Sequence, residues 1–290
     1  MDLSVVVATT DAGASIERCL DHLDRTCAGL SAETLVVDAS TDGTADRVER
    51  RGGAARLFRL PSGTLTPELW AEGFRRSSGR VVALTTGHCL VPAGWATSLL
   101  SAIDDGASAA GGPLALGPRT RMLDWAVYYL RYSGFIPERF GSGRTDGELA
   151  GDNAAYARAA VDRHPEVLAG GFWELDVHRA IRADGGWLSR VPSAVVEFTR
   201  SFPLPTILDH RFAHGAHFGA SRVRGGTRRL WQVLVASPLV PAVLAARAGS
   251  RVLGAPAHRW RFLLSLPWFL LLASSWAAGE AWGALREARA

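Results

Sequence analysis

Three short apolar runs, alternating with stretches of helical patterning, constrain this chain more than any other feature. Residues 3–8, 34–38 and 80–84 are nearly continuous in Val, Leu and Ala. After the first run, Ile16, Cys19, Leu20, Leu23 and Cys27 recur at the spacing of one helix face. Residues 45–50 and 67–77 read as further helices, and residues 56–60 as a fourth strand. Strands without polar alternation, separated by helices, predict an α/β domain with a mainly parallel sheet covered on both faces. Ligands of such sheets bind beyond the carboxyl ends of the strands. Those ends are Thr9-Thr10-Asp11, Asp38-Ala39-Ser40 and Thr85-Thr86-Gly87-His88, and the alternation brings them to one crevice.

The middle of the chain is more irregular. Residues 122–132 read as a helix carrying Trp125, Tyr128, Tyr129 and Tyr132. Residues 172–183 read as another, closed by Asp184-Gly185-Gly186. Beyond residue 229 the composition changes. Residues 230–246 and 262–279 contain no charged side chain, and arginines flank both runs. Each is close to the ~20 residues that span a bilayer. Pro238, Pro241 and Pro267 interrupt them, and arginine lies on both sides, which favours kinked or interfacial helices over a spanning hairpin. Residues 201–290 hold 11 Arg and 3 acids, whereas residues 1–200 hold 21 Arg and 25 acids. A basic, apolar segment points to anionic lipid as partner and away from nucleic acid. The chain therefore divides into a globular domain, 1–225, and a membrane-associating helical region, 226–290. Cys19, Cys27 and Cys89 form no CxxC pair, so neither a disulfide framework nor a zinc site is expected. The first residues run straight into a strand, so no signal peptide is expected.

Several segments carry candidate chemistry. Val36-Val37-Asp38-Ala39-Ser40-Thr41-Asp42-Gly43-Thr44 places two carboxylates at a strand end and a tight turn. Gly151-Asp152-Asn153-Ala154 offers an Asx turn before a helix starting at Ala154. Gly170-Gly171-Phe172-Trp173-Glu174-Leu175-Asp176 puts two carboxylates at a helix start, two residues apart and so facing different ways. With Val5-Val6-Val7-Ala8-Thr9-Thr10-Asp11, these segments resemble, in order over residues 3–220, a family 2 glycosyltransferase of GT-A fold. The tail resembles that of membrane-associated members.

The resemblance implies a nucleotide-sugar donor, with Thr9, Asp11, Asp38 and Asp42 on the nucleotide side. It implies an acceptor near Asp152 and Asn153, lipid-linked or another glycan. It implies a catalytic base from Glu174 or Asp176, Glu174 being preferred at the first turn. Arg211, His214 and Arg222 become candidates for the donor diphosphate. Members usually close the central strand with a DxD motif that holds Mn2+ or Mg2+; here Thr86-Gly87-His88 stands in its place. His88 is then either a metal ligand or a direct donor to the diphosphate in metal-independent binding. Two functions follow. One is inverting sugar transfer at the cytoplasmic face of the cell membrane. The other is a catalytically silent, membrane-attached binding or scaffold protein that keeps the fold.

Overall fold

The computed structural model describes residues 1–118, 121–226 and 228–289. These form two compact units: Met1–Gly117 with Phe135–Arg200, and Pro118–Gly134 with Ser201–Ala290. The strands are β1 (Leu3–Thr9), β2 (Ala32–Asp38), β3 (Arg56–Arg59), β4 (Val81–Thr86), β5 (Cys89–Leu90), β6 (Ala109–Gly111), β7 (Leu114–Leu116), β8 (Gly143–Thr145), β9 (Ala154–Ala157), β10 (Leu188–Arg190) and β11 (Val196–Phe198). The helices are α1 (Ile16–Cys27), α2 (Thr44–Arg51), α3 (Thr66–Arg76), α4 (Trp95–Asp104), α5 (Met122–Tyr132), α6 (Arg158–Val161), α7 (Glu174–Ala183), α8 (Leu204–Arg224), α9 (Leu230–Ala236), α10 (Val240–Val252) and α11 (Pro256–Glu287).

The first unit is built on an eight-stranded sheet in the order β3-β2-β1-β4-β9-β6-β10-β8. β1 lies parallel between β2 and β4, with Leu3 opposite both Ala32 and Val81. Every β1 and β4 residue is buried, as an unbroken apolar run requires of a central strand. The expected stripe on α1 is the buried one: Ile16, Cys19, Leu20 and Leu23. On the other face, Trp70 and Phe74 of α3 pack with Val6, Val37, Tyr156 and Phe172. Fully burying side chains of this size stabilises by roughly 1.5–3 kcal/mol each. The sheet is mixed, because β9 enters antiparallel to both β4 and β6. That overturns the helix expected at Ala154. A strand with two neighbours satisfies its backbone on both edges, and the Ala, Ala and Tyr side chains there are small or aromatic enough to be buried on both faces.

The second unit is helical, and it does not begin at residue 226. α5 and α8 precede that point, yet both pack on α11. α8 and α11 run parallel, with Leu208 against Ser275 and Arg224 against Glu287. Between these pairs the backbones nearly touch. A Cβ on Gly215 or Gly219 would lie 2.0 Å from a carbonyl oxygen of α11; one on Gly279 or Gly283 would lie 2.1 or 1.8 Å from a carbonyl of α8. Small residues four apart on both helices produce this approach. Pro238 ends α9 in one tight turn, and Pro241 sits in the first turn of α10, where its missing N–H costs nothing. Pro267, expected to interrupt its run, lies inside the 32-residue α11 instead. One lost hydrogen bond is tolerated where the helix is packed on both sides of it.

Candidate functional site

The carboxyl end of the sheet is assembled from four loops of the first unit. The β1–α1 and β2–α2 loops are laced together by short polar side chains. Asp11 has a left-handed backbone, φ 52°, which few residues other than Gly, Asn and Asp adopt. Its N–H donates to Ser40 Oγ (2.8 Å), and its carboxylate accepts from the Thr41 N–H (2.9 Å). Asp42 accepts from the Gly13 N–H (2.9 Å) and the Thr44 N–H (3.1 Å). Burial pushes the Asp42 carboxyl up, but the hydrogen bonds from Thr44 and Gly13 outweigh it and hold the group below the usual carboxylate range. Asp38 is buried at the tip of β2, and its Oδ1 accepts from Thr9 and Ser40, each at 2.5 Å. Thr9 is itself fully buried, so it orients Asp38 from below.

At the end of β4, Thr86 Oγ1 donates to Asp152 Oδ1 (3.3 Å), and Thr85 Oγ1 donates to the Asp152 carbonyl (3.0 Å). His88 follows, 7% exposed. Its Nδ1 lies 3.2 Å from Ser15 Oγ and its Nε2 3.2 Å from the Thr10 carbonyl. The residue that completes this cluster has no motif to announce it. Arg200, just beyond β11, donates through one guanidinium nitrogen to both His88 Nε2 (2.9 Å) and Thr10 Oγ1 (3.0 Å).

Glu174 and Asp176 separate. Half-buried Glu174 turns its Oε1 to the Gly151 N–H at 3.1 Å, in the turn that precedes β9 beside the end of β4. A side chain at Gly151 would fill that space, because its Cβ would meet Glu174 Oε1 at 2.6 Å. Asp176 is exposed and pairs with Arg179 on its own helix (3.2 Å), away from the Gly151 turn that Glu174 faces. α7 is anchored by a buried relay that sequence reading missed. Tyr156 Oη meets His178 Nε2 (3.1 Å), His178 Nδ1 meets Glu148, and Arg182 donates to Glu148 (3.0 Å). Burial lowers the His178 pKa, with Glu148 opposing, and burial together with the charges of Glu174 and Glu148 raises that of Tyr156. Asn153 is held by its neighbours. Fully buried, it donates to the Pro113 and Ala194 carbonyls and accepts from Trp95 Nε1 (2.7 Å). Those bonds commit its amide to joining loops; Asp152 is the member of the pair nearer the β4 tip.

Arg211 and His214 belong to the second unit, on α8. Burial and the charge of Arg131 push Arg211 down to about 10. Burial, Arg211 and Arg131, with His210 and His217, push His214 down to about 3. His214 is therefore neutral at pH 7. Arg222 of the same helix pairs with Glu280 of α11 (2.5 Å).

Residues 4–164, more than half of the chain, match the profile described as glycosyl transferase family 2. The chain belongs to that family. No curated protein matches its sequence. Among solved structures, it is similar to the mannosyltransferase PcManGT from Pyrobaculum calidifontis, in complex with GDP-Man and Mn2+, at 18% identity and TM-score 0.53, covering 95% of this chain and 85% of that one. It is similar to S. aureus TarS 1–349 in complex with UDP-GlcNAc, at 13% identity and TM-score 0.53, covering 95% and 91%. It is similar to GalNAc-T7 with UDP, GalNAc and Mn2+, at 15% identity and TM-score 0.54, covering 73% of this chain and 47% of that one. It thus spans about half the length of GalNAc-T7. These likenesses show the GT-A fold of a glycosyltransferase. The metal of the first and third of these complexes has no fitting place at the β4 tip of this family 2 chain. Among the described residues no three His, Cys, Asp or Glu side chains gather to hold an ion. Both His88 ring nitrogens already face partners, one of them a guanidinium.

Proposed function

We propose that this protein is an inverting glycosyltransferase that moves a sugar from a nucleotide-sugar donor to a lipid-linked or other cell-envelope acceptor at the cytoplasmic membrane face. The observation that carries the reading is Glu174. It is a half-buried carboxylate held by the Gly151 N–H at the carboxyl end of the sheet, the end where the loops of Asp11, Asp38 and Asp42 also lie. Inverting transfer needs one carboxylate to take the acceptor hydroxyl's proton as that oxygen attacks the anomeric carbon. The nucleotide diphosphate then leaves from the opposite face. Asp38 and the laced loops would seat the nucleotide, and Asp152 would border the acceptor side.

The second unit supports a membrane location. Leu230–Val252 and Pro256–Glu287 are long and apolar enough to cross a membrane. On α11, Trp260, Leu264, Trp268, Leu271 and Trp282 are exposed, an apolar surface that water disfavours. Trp260 and Trp282 stand 22 residues apart, about 33 Å along a helix, close to the ~30 Å of a hydrocarbon core.

Thermal shift of the purified full-length chain with UDP-, GDP- and dTDP-sugars tests donor binding. Transfer to a membrane-lipid extract tests turnover. A bound donor with no transfer to any extract would favour the silent scaffold, a reading that the missing aspartates at Thr86-Gly87-His88 keep alive.

A further inference from the structure

The tip of β4 contains a fixed cation where a metal would otherwise be expected, and the hydrogen bonds around it have one consistent assignment. Arginine can only donate. The Arg200 guanidinium, 2.9 Å from His88 Nε2, therefore makes that nitrogen an acceptor. The ring hydrogen then sits on Nδ1 and goes to Ser15 Oγ, whose own hydrogen goes to the Gly87 carbonyl at 2.7 Å. The Thr10 carbonyl, 3.2 Å from Nε2, could receive a ring hydrogen only if the shorter Arg200 bond were given up. The backbone of His88 is held as firmly. Its carbonyl accepts from the Thr199 N–H (2.9 Å) and hydroxyl (2.7 Å), one residue before Arg200. His88 is thus a neutral imidazole in one tautomer, keyed to a guanidinium. A divalent ion bound through His88 would need the same lone pair and would face a permanent positive charge.

We infer that Arg200 is the cation that binds the donor diphosphate in this protein, held at the β4 tip by His88 and Thr10, and that donor binding needs no divalent metal. The inference rests on the nucleotide-sugar reading above. The chemistry is suitable. Arginine stays charged at any relevant pH, and its planar fork matches phosphate oxygens. Two N–H groups of one nitrogen fix the plane against Thr10 and His88, which aligns the guanidinium before a ligand arrives. His88 is then a positioning residue that acts through Arg200, in place of the direct phosphate donor expected from the sequence.

The test is titration calorimetry of UDP, GDP and dTDP, as probes, into the full-length chain in detergent, with EDTA or with Mn2+. Wild type should bind one of them with affinities that agree within about twofold in the two conditions. Arg200→Ala should weaken binding about 10- to 100-fold, the scale of a lost charged hydrogen bond. Arg200→Lys should recover part of the loss. His88→Ala should weaken binding less, and should add nothing in the Arg200→Ala background, because coupled residues are not additive. Binding abolished by EDTA and restored by Mn2+ overturns the inference and leaves the proposed function standing; the wild-type arm decides this even if a variant fails to fold. Unchanged affinity in Arg200→Ala also overturns it, as does a full additional loss in the double variant. If none of the probes binds under either condition, the nucleotide-sugar reading fails and the inference falls with it.

Discussion

Glu174 and Asp176 show how two carboxylates on one helix acquire different chemistry from their surroundings. Glu174 is directed by the Gly151 N–H, whereas Asp176 is exposed and paired with Arg179. A base that takes a proton only as the acceptor attacks contributes to the transition state and little to donor binding. Glu174→Gln should therefore lower transfer by roughly 10²–10⁴-fold and leave nucleotide affinity near wild type. Asp176→Asn should change the rate severalfold at most. Single-turnover transfer assays with parallel binding measurements decide this, and the reverse ranking would assign the base to Asp176. Gly151→Ala should also slow transfer, because the added methyl occupies the place of Glu174 Oε1. The place of Glu174 at a helix start was legible, because a carboxylate follows a glycine pair there. Arg200 was not: 112 residues separate it from His88, it lies in no motif, and only the pairing of β11 with β5 beside His88 brings it there. The bonds of Asn153 were not readable either. Its neighbours have the composition of a binding turn, while its bonding partners are distant carbonyls.

Elements with an unbroken apolar run or a complete helical stripe were readable almost to the residue. α1 and α5 span the residues expected, and β1, β2 and β4 agree with expectation within two residues at either end. Two-faced strands of Ala and Tyr were not readable, because β9 looks like a helix until its neighbours on both edges are known. The α8–α11 contact was hidden too, since glycines four apart carry no hydrophobic signal. The contact still makes a strong prediction. Gly215→Leu or Gly283→Leu would drive a side chain into backbone that a Cβ alone already overlaps. Overpacking of a well-packed contact costs about 1–3 kcal/mol or more, so chemical denaturation in detergent should show a loss of at least that size. Ala213→Leu, on an exposed position of α8, should cost under about 0.5 kcal/mol. Equal effects at the two positions would mean that the helices do not meet through their glycines. The same contact bears on truncation. A chain ending at Gly225 keeps α5 and α8 but loses α11, leaving the glycine face of α8 and the ring of Tyr129, which packs on His258 and Phe262, without their partner. Such a chain should aggregate or melt earlier than full-length protein, as light scattering and thermal melts will show.

At the scale of the whole molecule, charge and burial give opposite behaviour in salt and in acid. Full-length protein should sediment with membranes and be released only in part by high salt, because screening weakens the arginine attraction and leaves the apolar face of α11 in place. Complete release by salt alone would remove the apolar contribution from the account. Acid acts through two histidines held neutral, one in each unit. His178 faces Tyr156, Glu148 and Arg182, and burial lowers its pKa below the ordinary 6.5 even though Glu148 opposes. His214 faces Arg131, His210, Arg211 and His217, and is pushed down from 6.5 to about 3. In both cases the unfolded chain binds the proton more readily than the folded one. Stability is therefore full above pH 6.5 and declines as the pH falls below it, for His214 until about pH 3. Each group contributes at most about 1.4 kcal/mol per pH unit in that window. Below pH 4.5 the hydrogen-bonded carboxylates of Glu33, Glu72 and Glu148 add a second loss, since their folded pKa values are depressed. Chemical denaturation at constant ionic strength should thus show stability dropping between pH 7 and 5, above the range in which Glu33, Glu72 and Glu148 titrate. His214→Gln, which keeps a polar side chain but cannot take the proton, should flatten that drop and leave the later loss below pH 4.5 intact. A variant with the same slope as wild type between pH 7 and 5 would show that the cationic set around α8 does not hold His214 neutral.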